Sequence, residues 1–529
     1  MQILCHITTI INMFKIRIRV IVGIMIFFGY FLIYIVRYSI SAHIIDMAHV
    51  MSRKDHLSRE IHDAKDFARN SMMFGRVMGH YWDDMAVGSL FAAYHVGYCI
   101  IFPIFYILGG SLGPTYVIGI TGLTSGVMCC VTPASVFLDY WAIFIVRIIM
   151  GLCAGAMQPS MVLLLRYWVP PIERNHFVWS YCGITTGTLC TFLLCAGVHY
   201  YWRWTVGFYG CGVFQILWAA IWMVVVADTP KDHSYISKEE LTYLENTITS
   251  MFTIKMSEHH TPWDLIIRSK PFWALCILNF GYSWLIIALC IYGPFYYTVV
   301  AGYTVYTASA LTALPFLFRL VLGYLTIHTF YWYKYHSKVR KIENLRKYFI
   351  VVSHVTPGVL IAITWFTHLI PGPVLLSIAV ALTAAGMDLT LDLCYELTPT
   401  YVNSVTTAIK IIGNTAGIII PLCVGVITKR YKNWPIVWKH LWCFHATILF
   451  LSGVIFLVWG ETKVQPWNSV TRRIYKPAPR KILPSVMSDI IEVDEEAASN
   501  RTSLGPTANT SQTKKSKIEN FKRFMNSKL

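Results

Sequence analysis

Charged residues are scarce in this chain of 529 residues: Asp, Glu, Lys and Arg make up 13% of it. An average soluble protein contains about 25%. The sequence also lacks a Cys-x-x-Cys pair, a Cys and His cluster with metal-binding spacing, a phosphate-binding glycine loop and a nucleophile–base pair. These absences argue against a soluble domain, a metal-stabilised domain and an enzyme, so we expect neither a metal nor a cofactor.

Apolar residues are abundant instead, at 56% of the sequence, and they are gathered into long runs. A run of roughly 20 residues crosses the ~30 Å hydrocarbon layer of a bilayer as an α-helix. Such runs lie at about 20–45, 85–107, 113–134, 138–165, 176–199 and 203–226, and then at 271–298, 306–329, 347–370, 373–396, 403–428 and 437–460. The sequence therefore predicts an all-α integral membrane protein with twelve transmembrane helices in two six-helix halves.

Polar segments divide the chain into expected regions. They are a cytoplasmic lead-in at 1–19, a first half at 20–226 with an extracytoplasmic loop at 46–84, a cytoplasmic central loop at 227–270, a second half at 271–468 and a disordered basic tail at 469–529. Within the central loop, Ser237 and Glu240 have the spacing of a capping box. This spacing predicts the start of a short amphipathic helix.

The formal net charge is +17, and much of the excess lies beside the spans and in the tail. Lys and Arg accumulate on the cytoplasmic side of membranes, so this distribution needs no nucleic-acid partner. The basic clusters at 334–347 and 472–481 place both termini and the central loop in the cytoplasm. Lys429, Arg430 and Lys432 argue against this orientation, because it places them outside.

Several motifs are similar to those of one transporter family. They are RIIMGLCAG at 147–155, WVPPIER at 168–174, ALPFL at 313–317 and QPWN at 465–468. They resemble the solute-carrier family of sodium-phosphate cotransporters, sialin and vesicular glutamate transporters, within the major facilitator superfamily. The resemblance covers about residues 20–468 and implies a divergent member of the family that works as a monomer. It implies a carrier that moves a small phosphate-, sialate- or glutamate-like anion by alternating access. The coupling ion would be Na⁺ or H⁺. The plasma membrane and endosomal or lysosomal membranes are the expected locations.

The sequence departs from the family pattern at three single positions and in the turn after span two, at 103–110, which lacks the family's charged residues. The acidic residue of span four falls on Ala154, the span-two histidine of glutamate carriers on Phe91, and their span-seven arginine on Tyr282. Two alternatives to a coupled carrier therefore stay open. One is an anion facilitator without ion coupling, and the other is a receptor or scaffold that keeps the fold without a transport cycle.

Two arginines are candidates for binding the anion. Arg147 lies deep inside span four, where a charge costs several kcal/mol unless it is paired or hydrated. A guanidinium binds carboxylate or phosphate through two parallel hydrogen bonds. The alternative is a structural ion pair with an acid on another helix. Arg37 lies at the end of the apolar run of span one, and the resemblance places its side chain in the central cavity. The alternative interpretation is that the Arg37 side chain snorkels to a lipid headgroup.

Three carboxylates in span ten are candidates for ion coupling. Asp388, Asp392 and Glu396 recur at a spacing of four residues, which places them on one helix face. Clustered buried carboxylates raise one another's pKa, so they could bind a proton or Na⁺ in place of the acid missing at Ala154. The alternative is a hydrated face at the cytoplasmic mouth, where Glu396 would pair with Lys410 or Arg147.

Neutral polar residues complete the candidate binding site. His95 lies one helical turn beyond Phe91 and could replace the missing span-two histidine, although a packing role is the simpler interpretation. Tyr282 and Asn414 could offer hydrogen bonds near the midplane. Single polar residues of this kind also hold transmembrane helices together.

The expected orientation predicts the outcome of a labelling experiment. In intact cells, an impermeant thiol reagent should label a cysteine introduced at Asp63 and should not label one introduced at Lys338, because the basic cluster at 334–347 favours the cytoplasm. The unsubstituted chain measures the background from its own cysteines. The reverse pattern would place the central loop and the tail outside.

Overall fold

The computed structural model describes residues 17–47, 82–108, 112–170, 173, 177, 179–252, 261–336, 339–366, 373–387, 390–431 and 434–469. Most of the predicted loop at 46–84 and nearly all of the predicted tail lie outside these residues. The chain divides into two units after Asn468, so the membrane-spanning helices belong to one unit.

The first half contains six long helices that follow the predicted spans. They are α1 (Ile18–Met47), α2 (Asp84–Leu108), α3 (Pro114–Leu138), α4 (Tyr140–Trp168), α5 (Cys182–Tyr201) and α6 (Trp204–Val225). Their mean hydropathy reaches 1.5 to 2.3 over an 18-residue window. A helix satisfies every backbone hydrogen bond within itself, which is why such apolar runs are helical in a bilayer.

The central loop and the second half follow. The central loop contains a 3₁₀ turn (Pro230–Asp232), α7 (Lys238–Phe252) and a short helix (Trp263–Ile267). The second half begins with α8 (Lys270–Phe295), which ends in a π-helical turn (Tyr296–Val300). Then come α9 (Val305–His336), α10 (Val339–Ile350), a π-helical turn (Val351–Val355), α11 (Thr356–Phe366), α12 (Pro373–Leu382), a short helix (Ala384–Met387), α13 (Thr390–Leu397), α14 (Val402–Arg430), α15 (Trp434–Trp459) and a 3₁₀ turn (Pro466–Ser469).

Within the described residues, 11 helices are long and apolar enough to cross a membrane, and Pro373–Leu382 adds a shorter apolar helix where span ten was expected. The predicted all-α membrane fold is therefore confirmed.

Span ten is not the continuous helix that we expected over 373–396. A turn at Thr383 separates α12 from the next helix, and the Thr383 hydroxyl donates to the Val380 carbonyl at 2.6 Å. Such back-bonding competes with the helical hydrogen bonds.

The helix α7 begins where the capping spacing predicted, since the Ser237 hydroxyl accepts a hydrogen bond from the Glu240 backbone N–H at 3.2 Å. The Glu240 carboxylate has another role. It accepts from the backbone N–H groups of Ile18 and Arg19 at 3.0 and 3.3 Å, at the start of α1. A carboxylate is favourable at a helix N-terminus, so α7 is docked on the first half.

Inside the first half, α2 and α4 approach each other through glycines. A Cβ atom at Gly151 would meet the Tyr94 carbonyl oxygen, and a Cβ atom at Gly97 would meet the Ile148 carbonyl oxygen. Small residues allow such close approach of helix backbones in membranes. The close contact holds Tyr94 of α2 against the arginine-bearing face of α4.

Contacts between the two halves concentrate toward the end of the bundle opposite the central loop. Here α2 packs on α14, with Gly88 against the Pro421 carbonyl and Lys429 paired with Asp83 at 2.7 Å. Nearby, α5 packs on α9, where the rings of Phe192 and Phe316 stack 6.1 Å apart. The halves are therefore joined mainly between the bundle centre and that end.

The glycine contact predicts a stability difference between two alanine variants. Gly151→Ala should lower the unfolding temperature in detergent, because overpacking a helix contact costs about 1–3 kcal/mol. Gly210→Ala is the matched control, since a Cβ atom there meets nothing within 4 Å. Equal unfolding temperatures for the two variants would contradict the proposed α2–α4 contact.

Candidate functional site

A small cavity lies at the centre of the bundle, between helices of both halves. It has room for about one water molecule and is lined by Arg37, Tyr38, Ile40, Ser41, Phe91, His95, Arg147 and Ile291. These residues come from α1, α2, α4 and α8, and we call the cavity the arginine chamber. The chamber brings together Arg37, Arg147 and His95 of the predicted site.

Arg147 is held in the chamber by the backbone of another helix. Its side chain is 2% exposed, its Nη2 donates to the Arg37 carbonyl at 3.1 Å, and its guanidinium lies 4.9 Å from the centre of the Tyr94 ring. Its Nε and Nη1 are buried without a hydrogen-bond partner among the described residues. Asp139, the N-cap residue of α4, accepts a hydrogen bond from the Trp141 backbone N–H at the start of the helix.

Arg37 joins the two halves. Its Nη2 donates to the Asn414 Oδ1 of α14 at 2.9 Å and to the His95 Nδ1 of α2 at 3.2 Å. Because a guanidinium has no acceptor, His95 must be neutral with its proton on Nε2. Arg37 is 4% exposed, so the snorkelling interpretation is wrong for this structure.

Tyrosine rings surround the guanidinium of Arg37. They are Tyr34, Tyr38, Tyr94 and Tyr98, with ring centres 5.1 to 5.8 Å from the guanidinium carbon. Aromatic faces attract a cation, by about 0.5–2 kcal/mol each depending on solvation. They do not neutralise its charge, so Arg37 remains able to bind an anion.

The chamber is electropositive. Its lining carries two guanidiniums and no carboxylate, as far as the described side chains show. Uncompensated buried charge is destabilising, which leaves room for a negatively charged ligand to contribute favourably. In chemical terms, two guanidiniums can bind an anion by charge-assisted hydrogen bonds once the cavity widens beyond the size of a water molecule.

The remaining predicted residues lie elsewhere. Tyr282 is on α8 beneath Arg319 of α9, whose guanidinium is 5.3 Å from the ring centre. Glu396 accepts from Arg346 at 2.6 Å, so its partner is a basic residue that we had not considered from the sequence. Asp388 lies outside the described residues, and the Asp392 side chain is likewise not described.

Sequence reasoning missed the tyrosines and two buried arginines, Arg319 and Arg346. A pattern was available for the tyrosines, because Tyr34 and Tyr38, like Tyr94 and Tyr98, are four residues apart and share a helix face. Arg319 interrupts an apolar run, which is the same reasoning that identified Arg147.

Comparison with known proteins agrees with this architecture. Vesicular glutamate transporter 2.2 of Danio rerio is 26% identical over 397 residues, covering 73% of this chain and 66% of that protein, slightly less than two thirds of its length. Sialin of Ovis aries is 23% identical over 459 residues, covering 83% of this chain and 89% of that protein. The crystal structure of a D-xylose-proton symporter has a TM-score of 0.59 at 14% identity, covering 84% of this chain and 99% of the other, which supports the fold alone.

The family model described as Major Facilitator Superfamily matches residues 26–421, which is most of the membrane-spanning region. Members of this superfamily are membrane transporters and not enzymes. The chain is an integral multi-pass membrane protein that belongs to the Major Facilitator Superfamily.

Proposed function

We propose that the chain is a secondary active transporter of a small organic or inorganic anion, which binds between Arg37 and Arg147. One observation carries the proposal. The Nε and Nη1 of Arg147 and the Nε of Arg37 are buried beside the arginine chamber without a hydrogen-bond partner among the described residues. A carboxylate or phosphate would satisfy these donors with the two-pronged geometry that a guanidinium favours.

The mechanism follows from the position of Arg37 between the halves. In the unliganded chamber, Arg37 donates to Asn414 of the second half and to His95 of the first half. An anion would compete with these neutral acceptors, because it adds the attraction of opposite charges and a two-pronged geometry to the hydrogen bonds. Binding would therefore change a contact between the halves, which is what alternating access requires of a substrate.

The packing of the halves supports a chamber that opens toward the central loop. The contacts described between α2 and α14 and between α5 and α9 concentrate on the opposite side of Arg37. With the proposed orientation, in which both termini are cytoplasmic, the chamber would face the cytoplasm. A second conformation would then expose Arg37 and Arg147 to the other side.

The substrate class rests on the relatives as well as on the site. Their names identify a glutamate carrier and sialin, and a phosphate-, sialate- or glutamate-like anion fits two guanidiniums. We propose Na⁺ or H⁺ as the coupling ion, a monomer as the working unit, and the plasma membrane or an endosomal or lysosomal membrane as the location. An uncoupled facilitator is the second candidate, favoured by the buried Ala154 at the family's acidic position.

Substitution of Arg147 tests the proposed function. In proteoliposomes assayed with glutamate, sialate and inorganic phosphate, the protein should take up at least one anion. Arg147→Lys should weaken its binding about ten-fold or more, since the charge remains but the two-pronged geometry is lost. Arg147→Ala should abolish uptake.

The control is Arg268→Ala, because Arg268 is exposed and lies in the segment that precedes α8. Its uptake should equal that of the unmodified chain. Transport that persists in a correctly inserted Arg147→Ala protein would refute the chamber as the binding site. Rescue of Arg147→Ala by neutralising Asp388, Asp392 or Glu396 would show instead that Arg147 is a structural counter-charge.

The coupling proposal is tested by the span-ten acids. Asp388→Asn and Asp392→Asn, singly or together, should flatten the dependence of uptake on a Na⁺ or H⁺ gradient and leave anion binding largely intact. Glu396→Gln is the comparison, because Arg346 engages its carboxylate and the variant should lower thermal stability more than coupling. Unchanged gradient dependence in the double variant would favour the facilitator.

A further inference from the structure

A second cavity lies between the halves, next to the arginine chamber. It has room for about two water molecules. Its lining is mostly apolar, includes one carboxylate, that of Asp84, and comes from α1 and α2 of the first half and from α8, α14 and α15 of the second. We call it the outer cavity, and its lining includes Ile44, Phe91, Ile291, Tyr292, Val424 and Trp438.

The outer cavity lies on the side of the chamber that faces away from the central loop. On α1, Ser41 lines the chamber, whereas Ile44 lines the outer cavity about one turn nearer the end of the helix. The ion pair between Lys429 and Asp83, at 2.7 Å, lies beyond the cavity, since the residues beside both members of the pair line it. The chamber, the outer cavity and this ion pair therefore follow one another toward the end of the bundle.

Two residues line both cavities and therefore form the wall between them. They are Phe91 of α2, in the first half, and Ile291 of α8, in the second half. Both side chains are buried, at 4% and 2% exposure. A layer of apolar side chains excludes an anion, because it offers neither a hydrogen bond nor a counter-charge.

The wall is also a contact between the two halves. The Phe91 ring packs edge-on against the ring of Tyr292, with the ring centres 5.9 Å apart. Tyr292 is held within the second half, since its hydroxyl donates to the Pro421 carbonyl at 3.4 Å and its ring lies 5.5 Å from that of Trp438. Separation of the halves at this end would therefore draw Phe91 away from Tyr292 and join the two cavities.

We propose that Phe91 and Ile291 form an apolar gate, and that the anion crosses this gate and the outer cavity to reach the side opposite the central loop. The gate rests on the proposed function, because it controls the path of the same anion. The resemblance places a histidine of glutamate carriers at the position of Phe91. A phenyl ring cannot donate a hydrogen bond to an anion, and at this position it serves to exclude the anion.

Anion exchange in proteoliposomes tests the gate. The vesicles are loaded with unlabelled glutamate, sialate or inorganic phosphate, and a lower concentration of the same anion in labelled form is added outside. A carrier with an intact gate accumulates the labelled anion transiently above its outside concentration, because each site that carries an unlabelled anion out returns with a labelled one. A continuous passage through the protein produces net efflux without this accumulation.

Substitution of the gate residues should convert exchange into leak. Phe91→Ala should abolish the transient accumulation and raise the net efflux of the anion about ten-fold or more, because it removes most of the apolar layer. Ile291→Ala should change both quantities in the same direction. Phe91→Leu keeps an apolar side chain at the gate and should behave like the unmodified chain.

Matched controls separate gating from a loss of stability. Phe102→Ala and Ile287→Ala truncate buried side chains of the same kinds on α2 and α8, which belong to neither of the described cavity linings. Their net efflux should not exceed that of the unmodified chain. If neither Phe91→Ala nor Ile291→Ala raises the efflux above that of its control, the gate is refuted and the proposed function stands. If the unmodified chain moves none of the three anions, the proposed function fails, and the gate fails with it.

Discussion

The burial in the membrane interior of two guanidiniums that pair with no carboxylate among the described residues is the constraint on which the rest of this structure depends. A lone charge there costs several kcal/mol, and the described neighbours of Arg37 and Arg147 supply only partial compensation through a carbonyl, an amide, an imidazole and aromatic rings. All of these acceptors are neutral. The arrangement keeps the cations in place, and under the proposed function an anionic ligand would balance their charge.

The helix packing serves this constraint. Glycines at 97 and 151 let α2 approach α4, and the Tyr94 ring consequently lies against both Arg37 and Arg147. Asn414 reaches the same Arg37 from the second half, so the electrostatics of the chamber and the contact between the halves share one side chain. A change in the charge at Arg37 would therefore alter a contact between the halves.

The polar groups of the second half illustrate where sequence reasoning stopped. The expected face of Asp388, Asp392 and Glu396 assumed one continuous helix; Asp392 and Glu396 both lie on α13, whereas Asp388 lies outside the described residues. The partner of Glu396 is Arg346, which is distant in sequence, so helical spacing could not have revealed the pair. Tyr282 was expected to offer a hydrogen bond in the binding site, yet it packs under Arg319.

By itself, the sequence determined the fold class, most of the membrane spans and the depth of Arg147, because hydropathy and chain length act locally along each helix. The tertiary structure alone decided which side chains meet. Arg37, His95, Arg147 and Asn414 come together from four helices, and Tyr282 does not join them, because the rotation of each helix about its axis depends on its packing against its neighbours. Hydropathy carries no information about that rotation when a helix is apolar on every face.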